Sequence, residues 1–93
     1  MEKIIVDGVT MEAGCMSIGE INILLIKTAK GALGCAYLNM AAAEKFDHAL
    51  AIVSGVANYD DMLKAEIKSV SSAAAEMGVT VGMSGKEALL KMC

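Results

Sequence analysis

Ninety-three residues with 56% hydrophobic content make one domain and leave no room for a second core. The net charge of −3 comes with eight lysines and no arginine, so the planar fork that reads phosphate and guanine bidentately is absent. Only three aromatic residues are present, too few for a base-stacking platform, and nucleic acid is excluded as an expected partner.

A chain this short buries only about 60–65% of the surface its unfolded form exposes. Its hydrophobic content exceeds the usual ~45–50% of soluble domains. Apolar surface that a small core cannot hold is naturally covered by another copy, so a homo-oligomer is expected. The longest strongly apolar run, Ile23 to Ile26, is far below the ~20 residues that span a bilayer, so no membrane partner is expected. Met1-Glu2-Lys3 opens no signal-peptide core, and a cytoplasmic location is expected. Cys15, Cys35 and Cys93 are odd in number and widely spaced. They form no disulfide framework and, with a single histidine, no zinc spacing; no metal and no cofactor is expected.

In chain order, Ile4-Ile5-Val6 and Val9-Thr10-Met11 read as strands around Asp7-Gly8, a pair suited to a type I′ turn in which both residues take positive φ. Gly14 and Gly19 bracket Cys15 to Ile18, which predicts an irregular strand end or loop. Ile21 to Lys27 is almost continuously apolar and predicts a strand covered on both faces, central in a sheet or shielded by a partner subunit. Thr28 to Gly31 is a turn into a second strand, Ala32 to Leu38. Asn39 is placed to cap an alanine-rich helix from Met40 to Phe46.

His48 to Val53 predicts a strand that stops at Ser54-Gly55. Asn58 caps a short helix from Tyr59 to Lys64 with acids in its first turn. Glu66 to Val70 alternates like a half-exposed strand, and five residues leave helix open as the alternative. Ser71 or Ser72 starts a helix that Gly78 ends in the left-handed region. After a link at Val79 to Val81, Ser84-Gly85-Lys86-Glu87 is a capping box for a last helix, with Met83 and Ala88 at the staple positions. The sum is an α+β domain, a mixed sheet fed by N-terminal hairpins with short C-terminal helices packed on it.

Three segments resemble the YunC-like family, a domain family of unknown function in bacteria and archaea. They are Gly31 to Asn39; Gly55-Val56 with Asp60-Asp61-Met62-Leu63; and Gly78 to Leu90, with its Val-Gly-Met-Ser-Gly-x-Glu-Ala-Leu ending. The likeness covers about the last two-thirds of the chain. It implies a small α+β domain that assembles as a tetramer through its N-terminal β-region, here approximately residues 1–28, and it implies no established activity. Asn39 stands where an aspartate is expected and Ala57 where a basic residue is common.

Four motifs carry candidate chemistry. The Ser84 helix start, with Gly82 and Gly85 for close approach, can hold an anion on free amides, or Glu87 can use those amides as a local cap. Cys35 sits between Gly34 and the Asn39 helix start, where a thiol is either activated by the helix end or buried as a small hydrophobe. As a nucleophile it needs a base, and His48 is the only histidine. Asp60 and Asp61 are adjacent and cannot share a helix face, and eight scattered methionines suit packing better than a soft metal. The reading is an oligomer that binds a small polar or anionic metabolite in a cleft lined by Cys35, Asn39, Gly55, Ser84 and Gly85. A Cys35-dependent enzyme or redox protein and a purely structural, partner-binding subunit are the alternatives.

Overall fold

A computed structural model describes residues 2–19, 21–35 and 40–93. Ten elements follow one another: β1 (Glu2–Val6), β2 (Val9–Ile18), β3 (Ile21–Lys27), β4 (Ala32–Cys35), α1 (Met40–Lys45), β5 (Leu50–Val53), α2 (Tyr59–Lys64), β6 (Ser69–Val70), α3 (Ser72–Glu76) and α4 (Gly85–Lys91). The strands form one sheet in the order β1-β2-β3-β4-β5-β6, antiparallel throughout except for the parallel pair β4–β5. This is the expected α+β arrangement, a meander followed by helices.

The Asp7-Gly8 turn forms as its residues require. Val6 pairs with Val9, and Asp7 and Gly8 take φ of 49° and 80°. Lys27 pairs with Ala32 across the four-residue turn from Thr28 to Gly31. That turn is tied to the far end of the chain: Thr28 Oγ1 donates to the Met92 carbonyl at 2.7 Å, and the Lys30 amide donates to it at 3.1 Å.

Side-chain alternation divides the sheet into two differently covered faces. Met11, Ala13, Leu24, Ile26, Leu33, Ala51 and Val53 point to one face and are buried beneath Met62 of α2 and Leu89 and Met92 at α4. On the opposite face a smaller cluster, Ala43 of α1 with Leu50 and Ile52, covers only the β4–β5 end. The outer face of β1–β3 carries Ile5, 74% exposed, and Met16, 64% exposed, with Ile23 and Leu25 half-buried.

Several expectations need correcting. Cys15 to Ile18 is regular strand paired through to Ile18–Ile21, because Gly14 and Gly19 do not interrupt the ladder. The strand at Ile21 to Lys27 lies inside the sheet as expected, but within this chain it is covered on one face, since no described helix crosses β1–β3 on the other. His48 lies before the strand, which begins at Leu50. Of Glu66 to Val70 only Ser69–Val70 joins the sheet. The Ile67 amide instead donates to Met83 at 2.8 Å, and Glu66 bridges Ser84, so this segment is stitched to the approach to α4. The continuation of β4 through Leu38 and the Asn39 cap lie outside the described residues.

A buried serine and an exposed glycine fix the ends of α3. Ser71 caps α3 through its hydroxyl, which also accepts from the Leu50 amide at 2.9 Å and donates to the His48 carbonyl at 2.7 Å. Gly78 follows α3 with φ of 91°, as a left-handed stop. No helix among the described residues is long and apolar enough to cross a membrane.

Candidate functional site

The parallel pair β4–β5 places the candidate site. Cys35 pairs with Val53 at the carboxyl ends of both strands, and it is buried, 5% exposed. From β4 the chain goes to α1, which packs on the Leu50–Ile52 face. From β5 it passes Ser54 and Gly55 to α2, which packs on the Leu33–Val53 face. Connections that leave neighbouring parallel strands on opposite faces mark the usual ligand position in such sheets. Gly55, exposed with φ of 70°, follows β5 at this end. The loop after it is ordered by Asn58, whose side chain accepts from the Asp61 amide at 2.8 Å, and by Asp61, whose carboxylate accepts from the Ala57 amide at 3.1 Å.

Ser84 and Gly85 stand apart from Cys35 and Gly55, past the opposite end of α2. The Gly85 amide donates to the Ala65 carbonyl at 2.9 Å, and a β-carbon there would run into the Met62 carbonyl and Leu33. Ser84 Oγ accepts from the Glu87 amide at 3.2 Å and donates to the Glu87 carboxylate, also at 3.2 Å. The capping box thus closes hydroxyl to carboxylate, where the sequence suggested carboxylate to backbone amide. Two first-turn amides that an anion would use are occupied. Asn39 lies outside the described residues.

The Cys35/His48 pairing does not form. His48 precedes β5 at the end where Ala32 pairs with Leu50, whereas Cys35 is level with Val53, a separation of roughly 15 Å along the strands at ~3.3 Å per residue. The imidazole lies beside Phe46, with ring centroids 6.2 Å apart. The chain's only histidine cannot serve Cys35 as a base.

Tyr59, Glu2 and Cys15 were missed as site residues. Cys15 pairs with Leu24 on the helix-covered side of the sheet, and one step beyond the Leu25–Gly34 pair Cys35 falls level with Leu24. Cys15, Leu24, Cys35 and Val53 therefore cross the sheet at one level. Where the pairing of β1 stops at Glu2–Ala13, a hollow of about 520 Å³ opens, lined by Glu2, Cys15, Met16, Ile23, Leu25 and Tyr59 among others. The Tyr59 phenol is held above its ordinary value, first by burial, then by its hydrogen bond with Glu2 and the Glu2 charge, with Cys15 adding to it. The register that joins these residues was implicit in the Asp7-Gly8 turn, but their convergence on Tyr59 depends on where α2 packs.

A meander feeding one parallel pair, with helices on both faces, defines a small α+β domain. The sequence profile of a family described as a domain of unknown function, DUF1805, matches residues 34–92. The uncharacterized protein YunC of Bacillus subtilis (strain 168) is 33% identical over 96 residues, which cover 99% of this chain and 95% of that protein. A crystal structure of a protein of unknown function from Thermoplasma acidophilum has a TM-score of 0.93 at 29% identity, over 99% of this chain and 90% of that one. The chain belongs to this YunC-like DUF1805 family. The profile match takes in Cys35, Gly55, Ser84 and Gly85, while β1–β3 enter only through the two full-length likenesses.

Proposed function

We propose that this protein is a cytosolic homo-oligomer that binds a small polar metabolite at the carboxyl ends of β4 and β5. The observation that carries the reading is the divergence of the two connections to opposite sheet faces, with Cys35 buried at the end of β4 and Gly55 exposed beyond the end of β5. Tyr59 and Glu2 supply a hydroxyl and a carboxylate in the neighbouring hollow that Cys15 also lines. With Glu2, Asp60 and Asp61 at this end, a ligand rich in hydrogen-bond donors fits better than an anion. Asn39, in the connection that leaves β4, is a further candidate contact. Ser84 and Gly85 are assigned to packing and capping. Three free thiols suit a reducing compartment.

A thermal-shift screen of amino acids, sugars and nucleosides tests the site. The expected result is a stabiliser whose effect is lost in Cys35→Ala and in Tyr59→Phe and kept in Ser84→Ala. A screen with no stabiliser, or stabilisation that survives both site variants, refutes the assignment.

The structural-subunit reading is favoured by one separate observation, the uncovered apolar face of β1–β3 around Met16, Ile23 and Leu25. Met16, Ile23 and Leu25 also line the hollow beside Tyr59, so a copy assembled through that face borders the ligand site, and the two are proposed together.

A further inference from the structure

A second hollow, of about 440 Å³, lies at the opposite end of the parallel pair, between the β3–β4 turn, the α1–β5 corner and α3. Its volume is within the range of small-molecule sites, roughly 300–1,000 Å³. Leu25, Ala32, Ala49, Ala73 and Met77 give it an apolar lining, and Lys27, Lys30, Asp47 and His48 give it charge and polarity.

The backbone beneath these polar residues is fixed on every side. The Thr28 amide donates to Gly31 at 2.8 Å, and both Thr28 Oγ1 and the Lys30 amide donate to Met92. At the facing corner Asp47 takes φ of 58°, the His48 amide donates to Ala43 at 2.8 Å, and the His48 carbonyl accepts from Ser71 Oγ. Three sequence-distant segments are thus preorganised around one space.

The charges favour an anion. Neither Lys27 nor Lys30 has an ion-pair partner among the described residues. Asp47 is the one carboxylate in the lining; Glu12, opposite Lys27 on β2, lines the neighbouring hollow, and Glu44 is engaged by Ser72. Within the lining two lysines face one aspartate, with Glu12 cross-strand from Lys27 just outside it, on a chain of net charge −3.

We propose that this hollow binds a small organic anion, a carboxylate or phosphate head on an apolar body, with Lys27 and Lys30 pairing the head and Met77, Ala73 and Leu25 receiving the body. His48 adds a hydrogen bond to the head. The site lies at the opposite end of the β4–β5 pair from Cys35, with Leu25 the one described residue lining both hollows.

Amide NMR titration of the full chain tests it with three probes of similar body: benzoate, phenyl phosphate and uncharged benzyl alcohol. Saturable shifts at Lys30, Gly31, His48 and Ala73 are expected for benzoate or phenyl phosphate, and at least tenfold weaker binding of benzyl alcohol. The Lys27→Gln/Lys30→Gln double variant keeps its folded spectrum and weakens the charged probe at least tenfold. Non-saturating shifts with both anions, equal binding of benzyl alcohol, undiminished binding in the double variant, or shifts centred on Cys35, Gly55 and Tyr59 would each overturn the proposal. The last pattern would leave the site at Cys35 standing.

Discussion

Gly85 shows how a residue suited to one chemistry is used for another. Glycine beside a capping serine is what an anion cradle needs, and it is also what lets a helix start press on a neighbouring backbone. The missing β-carbon here makes room for the Met62 carbonyl of α2 and the Leu33 side chain. Gly85→Ala must push α4 away from α2 and is expected to cost about 1–3 kcal/mol in urea unfolding, the range for overpacking a filled core. Ser84→Ala loses a solvent-exposed cap and is expected to cost about 1 kcal/mol. If Gly85→Ala were neutral in stability while abolishing ligand binding, the packing assignment would be wrong.

At the scale of elements, α1 and α3 are joined by a contact that neither helix contains alone. The Glu44 carboxylate of α1 accepts from both the amide and the hydroxyl of Ser72, at 2.6 and 2.7 Å, and so acts as a second cap on α3. Those bonds, the amide first, hold the Glu44 carboxyl below its ordinary value of 4.5. A carboxyl held lower in the folded state than in the unfolded chain binds fewer protons when folded. Its contribution is therefore complete above about pH 4.5 and is lost as pH falls through the lowered folded value. Glu44→Gln is expected to flatten the acid limb of stability against pH, measured by chemical unfolding between pH 2 and 6, with little change in slope above pH 6. An unchanged acid limb would assign that pH dependence elsewhere.

The same scale shows what a linear sequence can carry. The β1–β2 turn, the α2 cap at Asn58, the α3 start at Ser71 and the stop at Gly78 were legible because each is decided by chemistry within four residues. Glu66 to Val70 was misread because its alternation suits any extended segment, and the partner of Ile67 turned out to be Met83. In the sequence Cys15 reads only as part of an irregular strand end or loop. Its place level with Cys35 depends on pairing across two other strands. The candidate site was half legible: Cys35 and Gly55 come from motifs at strand ends, whereas Tyr59 and Glu2 meet only through tertiary packing.

For the whole molecule, the unequal coverage of the sheet is the main consequence. One face is sealed by α2 and α4, but α1 shields only β4 and β5 on the other, leaving Ile5 and Met16 largely exposed. The proposed assembly through this face would account for the hydrophobic excess of the composition. Sedimentation at micromolar concentration is expected to show an oligomer for the unaltered chain and smaller species for Met16→Glu with an unchanged far-ultraviolet spectrum. A monomer in the unaltered chain would defeat both the assembly and its proposed surface.

The bond from Thr28 to Met92 spans 64 positions, and it bears on the order in which the chain folds. β1 to β4 are joined by short turns and can pair early at small loop-closure cost, whereas α4 closes the longest loop in the structure. Until it docks, Leu24, Ile26 and Leu33 have no lid from Leu89 and Met92. Met92→Ala, expected to cost about 2–5 kcal/mol, should then act on the unfolding limb of a chevron plot and leave the refolding limb nearly unmoved. On that account the tail of the sequence sets how long the folded protein lasts, while the opening hairpins set how fast it is reached.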